Sequence, residues 1–242
     1  MDFNYLLLER HEGGIARIVL NRPQKRNSLS IAMRQELMDC LDALAADDAI
    51  QVVVIAGAGA VFCAGFDLQE FTQADKSDAL FSNSRDYHLK LWSFPKPTIA
   101  AVNGAAPAGG FDLALLCDIR LCDEGAVFGH PEIKFGGVPL FALLAQVAGE
   151  GPARDLCFTG RMIDAQEALR MNIVSAIVPE QELLSQSLAW AARIAEAPAA
   201  TLRFTKHCMV HTTGERFETA FLREHDEGFA TVPLVLERLP RK

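Results

Sequence analysis

Hydrophobic positions along the chain follow two rhythms that change places. Phe3 to Glu9 and Ile15 to Leu20 read as strands around the turn His11-Glu12-Gly13-Gly14. Asn21-Arg22-Pro23 breaks that pattern. From Ser30, a residue suited to cap a helix start, Met33, Leu37, Cys40, Leu41 and Leu44 recur on one helical face to about Ala46. Val52-Val53-Val54-Ile55 is wholly apolar and β-branched, which predicts a strand covered on both faces, as in a parallel sheet. The small residues from Ala56 to Ala60 end it. The polar stretch Gln73 to Lys90 predicts a helix halted by Pro95-Lys96-Pro97. Thr98 to Val102 predicts another covered strand, Asn103 to Gly110 a small-residue turn, Phe111 to Cys117 a helix and Ile119 to Cys122 a strand. Beyond Pro139 the pattern is mainly helical, with breaks near Gly149, Gly160 and Asn172 and one short strand within Val174 to Val178. Helices are expected around Glu180 to Glu196, Ala199 to Val210 and Glu215 to Glu227.

Strands and helices alternate first, and then helices dominate. That order predicts an α/β layer architecture with a parallel sheet and a helical C-terminal part. The C-terminal helices show little sign of closing a core of their own, so they are expected to pack on another subunit.

Composition narrows the functional classes. The chain has 242 residues, half of them hydrophobic, enough for one large domain or one domain with a small appendage. A net charge of −8, with no basic run of five residues, argues against a nucleic-acid face. The start, MDFNYLLLERHEGG, has no basic segment followed by a long apolar one, and no run of eighteen apolar residues occurs. No membrane association is expected, and the cytoplasm is the expected compartment. Six cysteines lie mostly in apolar stretches without a CxxC pair, which predicts buried free thiols, no zinc ribbon and no metal centre.

Four segments carry candidate chemistry: Asn21 to Leu29, Val61 to Leu68, Asn103 to Asp112 and Phe128 to Ile133. Gly109-Gly110 lies between a covered strand and a helix. Glycines there permit a tight turn and a close ligand, and the helix start offers unpaired N–H groups to an oxygen gaining charge. Gly65-Phe66 is a second such turn; if the two meet, two amides can converge on one oxygen. Each has a plainer reading. Gly-Gly before a helix is commonly only a turn, and Glu132 after a proline is commonly a surface carboxylate. Asp112 precedes the apolar run Leu113 to Cys117, where a carboxylate is costly unless paired or used. His130 is set aside, because no serine or cysteine nucleophile accompanies it. No GxGxxG turn or GxxxxGK[ST] loop is present.

As a set and in this order, NRPxxxN, AGxDL, NG followed by GG, and FGxPE resemble the crotonase (enoyl-CoA hydratase/isomerase) superfamily. The resemblance runs from about Tyr5 to the C-terminal helices. It implies a crotonase-like spiral of repeated ββα turns over residues 1–185, with a C-terminal helical oligomerisation region over residues 186–242 that forms a homotrimer or a dimer of trimers. It implies an acyl-CoA substrate and no separate cofactor, coenzyme A being part of that substrate. The N–H groups of Phe66 and Gly109 would form the oxyanion hole. Glu132 and Asp112 would stand at the family's two catalytic carboxylates. Lys25, Arg26 and Asn27 would lie near the adenine and ribose phosphate, and Ala64, Asp67 and Leu68 would also contact coenzyme A. The chain departs from the hydratase pattern at Asp112, one methylene shorter than glutamate. It departs again at Leu140-Phe141-Ala142-Leu143-Leu144, where hydratases have a glycine-rich run. Hydration of a 2-enoyl-CoA leads; 3-enoyl to 2-enoyl isomerisation and non-catalytic acyl-CoA binding are the alternatives.

Overall fold

The computed structural model describes residues 2–71 and 77–211. β1 (Leu6–His11) and β2 (Ile15–Leu20) form an antiparallel hairpin. β3 (Val52–Gly57), β4 (Thr98–Val102), β6 (Ile119–Asp123) and β9 (Ala176–Val178) extend it in parallel, in the order β1-β2-β3-β4-β6-β9. Three short strands, β5 (Ala105–Pro107), β7 (Val127–Gly129) and β8 (Met162–Asp164), build a second sheet in the order β5-β7-β8. Each is three residues long, too short for alternation to show in the sequence. The expected turn from Asn103 to Gly110 therefore contains a strand.

The central strands are covered on both faces, as their apolar runs predict. Val53, Ile55, Ala100, Val102 and Cys122 point into the larger core. Val52, Val54, Ile99, Ala101 and Leu121 point into a smaller core on the opposite face. The period of two assigns successive side chains to opposite cores. α1 (Ile31–Ala46) covers the larger core with Met33, Leu37, Cys40, Leu41 and Leu44, and Ser30 caps it by accepting from the Met33 N–H at 3.2 Å. α3 (Ser77–Trp92) and α4 (Gly109–Leu116) complete that side, while α2 (Leu68–Phe71) is a single turn. The strand–strand–helix unit is seen in β4–β5–α4, and in β6–β7 followed by a 3-10 turn over Pro131–Phe135.

Beyond that turn come α5 (Phe141–Ala148), α6 (Glu150–Thr159), α7 (Ala165–Arg170), α8 (Leu183–Ala195) and α9 (Ala199–His211). The expected strand near Val174 starts two residues later, and the expected helix from Glu215 to Glu227 lies outside the described residues. α8 finds its partner within the chain, because Leu183 and Ala191 close the smaller core of the sheet. α9 is held partly by Lys206, which is buried and paired with Asp118. Asp118 in turn accepts from the Thr98 N–H at 2.8 Å. All six cysteines are free and buried. No described helix is long and apolar enough to cross a membrane.

Candidate active site

Backbone hydrogen bonds tie the four segments together. The Ala64 N–H donates to the Arg26 carbonyl at 2.9 Å, and the Leu29 N–H to the Gly65 carbonyl at 2.8 Å. The Ala108 N–H donates to the Gly129 carbonyl at 2.8 Å. Side chains add to this. Arg22 pairs with Asp67 at 3.0 Å and donates to the Ser28 carbonyl at 2.7 Å, while its guanidinium lies 5.3 Å from the Tyr5 ring centre. Buried Asn27 accepts from the Arg22 N–H at 2.9 Å and donates to the Ala58 and Val61 carbonyls at 2.9 and 2.7 Å. Its amide is thus committed to holding loops, in a left-handed backbone (φ 53°) that asparagine tolerates. Asp67 is likewise spent on Arg22 and on the Gln69 N–H, which it accepts at 3.2 Å. Lys25, Arg26 and Leu68 are exposed, and Lys25 reaches the Gln69 side chain at 3.3 Å.

The two small-residue turns meet. A Cβ placed on Gly65 would stand 3.2 Å from the Gly109 nitrogen, and one on Gly109 would stand 3.5 Å from the Phe66 ring. Gly65 also has φ 86°, so glycine is required there twice over. At Gly110 a Cβ would overlap the Cys63 carbonyl, which explains the second glycine of the pair. Ala108 turns the chain into α4 with φ 52° and ψ −128°, a strained backbone for a residue with a side chain. The N–H groups of Gly109 and Gly110 open α4, and helix starts carry donors without helical partners. On the far side of Phe66, the Arg34 guanidinium lies 4.6 Å from the ring centre and donates to Asn83 at 2.6 Å. That packing fixes the second turn from behind.

Asp112 and Glu132 approach the same place from different elements. Asp112 sits in the first turn of α4, where its carboxyl benefits from the helix dipole yet is buried among apolar neighbours. Burial pushes its pKa up to about 7; His130 opposes the rise and Glu132 adds to it. Glu132 belongs to the 3-10 turn after Pro131. Its stem lies against Gly137, where a Cβ would stand 2.6 Å from the Glu132 Cβ. Oδ1 of Asp112 and Oε2 of Glu132 are both buried without a hydrogen-bond partner.

Between them stands His130, fully buried, the residue that sequence reasoning set aside. Its Nδ1 is 2.9 Å from Glu132 Oε1 and its Nε2 is 3.9 Å from Asp112 Oδ1. Its ring lies against Phe111, centroids 5.0 Å apart. A histidine can also pair with carboxylates, and that contact, rather than a nucleophile, is what the structure gives it. The signal was its place two residues before Glu132 across a proline. His130, at φ −115° and ψ 63°, immediately precedes the 3-10 turn that starts at Pro131 and carries Glu132. Among the described residues no three His, Cys, Asp or Glu side chains are gathered so as to hold a metal ion.

Against known proteins, this arrangement has many counterparts. The family model for enoyl-CoA hydratase/isomerase matches residues 10–230. A Thermus thermophilus protein that carries an enoyl-CoA hydratase name is 36% identical over 223 residues, covering 89% of this chain and 88% of that one. The hydroxycinnamoyl-CoA hydratase-lyase of Pseudomonas fluorescens is 34% identical over 206 residues, covering 81% and 75%. The crystal structure of an enoyl-CoA hydratase from Bacillus anthracis superimposes with a TM-score of 0.91 at 30% identity, covering 95% of this chain and 91% of that one. With a family model spanning most of its length and the same spiral fold, the chain belongs to the enoyl-CoA hydratase/isomerase family, within the crotonase superfamily.

Proposed function

We propose that the protein hydrates a 2-enoyl-CoA thioester to the 3-hydroxyacyl-CoA. The observation that carries this reading is the pair of carboxyl groups, Asp112 and Glu132, each with a buried unpartnered oxygen. The N–H groups of Phe66 and Gly109 would receive the thioester oxygen. As the oxygen of water bonds to C3, the C2–C3 π electrons shift to C1–C2 and the carbonyl π electrons move onto the thioester oxygen, where two fixed donors stabilise the charge. One such donor is typically worth ~3 kcal/mol. Glu132 accepts the proton that water loses and returns one to C2, while Asp112 holds the water. Asp112, whose pKa burial raises to about 7, can both donate to and accept from that water near neutral pH.

Lys25 and Arg26, exposed cations at the rim, are suited to the phosphates of coenzyme A. Asn27 would act there through the loop it braces, as would Asp67, with Ala64 and Leu68 offering main chain and apolar surface. The exposed apolar residues Ile133, Phe135, Val138, Leu140 and Phe141 are suited to an acyl chain or to a neighbouring subunit in a homotrimer.

The shorter Asp112 favours a second reading, isomerisation of a 3-enoyl-CoA to the 2-enoyl-CoA. That reaction needs one carboxylate to carry a proton between carbons, a task for Glu132 alone. Turnover of crotonyl-CoA and of a 3-enoyl-CoA by E132Q and D112N separates the readings. E132Q is expected to lose at least ~100-fold in either reaction. D112N is expected to lose hydration and to spare isomerisation; a 3-enoyl-CoA turned over equally by D112N and the unaltered protein, with no crotonyl-CoA hydration by either, replaces the first reading with the second. Acetoacetyl-CoA binding without turnover of either substrate by the unaltered protein would make it a binding subunit.

A further inference from the structure

We propose that His130 is a positioning residue that fixes Glu132 through Nδ1–H and shares one proton with Asp112 across Nε2, making the three side chains a single proton-handling unit. The inference rests on the reading of Glu132 as the group that moves protons.

Geometry fixes the direction of the first contact. At 2.9 Å from an ionised carboxylate, which only accepts, Nδ1 must carry the hydrogen. A neutral ring then presents a bare Nε2 toward Asp112. The separation of 3.9 Å is too long for a direct hydrogen bond. It is short enough for a water, or the hydroxyl leaving or entering a substrate, to touch both atoms. Three polar atoms in this small region are buried and unpartnered: Asp112 Oδ1, His130 Nε2 and Glu132 Oε2. Buried polar atoms are ordinarily satisfied, so three together mark a place whose partners arrive with the substrate.

Proton counting explains the value of the imidazole. Protonated Asp112 beside neutral His130 holds the same number of protons as ionised Asp112 beside the imidazolium. A proton can therefore pass between Oδ1 and Nε2 without changing the charge of the pocket. Among the described residues, the other titratable groups facing Asp112 or Glu132 are Tyr87 from α3, Cys63 beside the Gly65-Phe66 turn and Cys157 from α6. Burial raises the pKa of all three, Cys63 to about 12, so they stay neutral while the unit works.

The test uses H130L, which removes both nitrogens, and H130N, which keeps an amide donor near Glu132 but nothing at Nε2. H130L is expected to lower kcat for the accepted thioester ~100-fold while changing KM less than about threefold. H130N should recover at least tenfold of that loss. Both should move the acid limb of the pH profile upward, because the charge that favours ionised Asp112 is gone. Binding of acetoacetyl-CoA reports folding; if H130L does not fold, H130N alone decides by its pH limb. An unshifted limb with kcat within threefold of the unaltered protein overturns the proposal. E132Q distinguishes the failures: a fully active E132Q sinks the underlying reading and this inference with it. An inactive E132Q beside normal H130 variants sinks the inference only.

Discussion

Asp112 is the residue at which stability and the proposed chemistry pull in opposite directions. Its carboxyl is almost wholly buried, and burial holds its pKa near 7, well above its value in an unfolded chain. Between about pH 4 and pH 7 the folded protein therefore binds more protons at this site than the unfolded chain does. Stability from this group falls as pH rises through that window, and the full cost is reached above about pH 7. The ceiling is on the order of 4 kcal/mol. D112N should flatten the fall and raise Tm at pH 8 more than at pH 4; thermal unfolding across pH checks it, and an equal effect at both values would contradict it. The motifs single out Asp112 and Glu132 as candidates, and the fold brings the two into one neighbourhood. The place of His130 between them was not legible, because it depends on a contact between two elements, α4 and the 3-10 turn, that adjacent letters do not reveal. Asn27 and Asp67 were legible as special positions, but their side chains face inward and brace the loops.

At the scale of elements, the long apolar runs told the truth. β2, β4 and α1 have the bounds their patterns predict, including the Ser30 cap. The three-residue strands of the second sheet escaped, since their pairing is set by neighbours rather than by periodicity. Lys96 is a further case. Between two prolines it reads as part of a helix stop, yet its buried ammonium donates to the Leu44 and Asp47 carbonyls at 2.6 Å each, finishing α1 from a distance. The junction of β5 and α4 depends on Gly110, whose missing Cβ makes room for the Cys63 carbonyl. G110A should destabilise the fold by about 1–3 kcal/mol. It should also depress kcat by moving the Gly109 amide, read by denaturant unfolding beside an activity assay. A variant as stable and active as the parent would show that the turn is not this tightly set.

The whole molecule presents one sheet between two cores, with the site where the first sheet's loops meet the short second sheet. The parallel order and the double covering were legible because β-branched runs have few other homes. The C-terminal part was only partly legible: α8 closes the smaller core of its own chain, which its amphipathic pattern alone could not distinguish from contact with a neighbour. Phe135, Val138 and Phe158 are 69%, 83% and 81% exposed, and α6, which carries Phe158, packs against the turn that carries Phe135. Such apolar exposure on one side fits burial against another copy. Sedimentation equilibrium should give three or six times the chain mass, and a stable folded monomer at low concentration would contradict it. The most direct test of the account is a crystal structure with acetoacetyl-CoA bound. The thioester oxygen should lie within about 3 Å of both the Phe66 and Gly109 nitrogens, with the Glu132 carboxyl beside the α-carbon. A thioester seated elsewhere, or an oxygen met by only one of those amides, would contradict it.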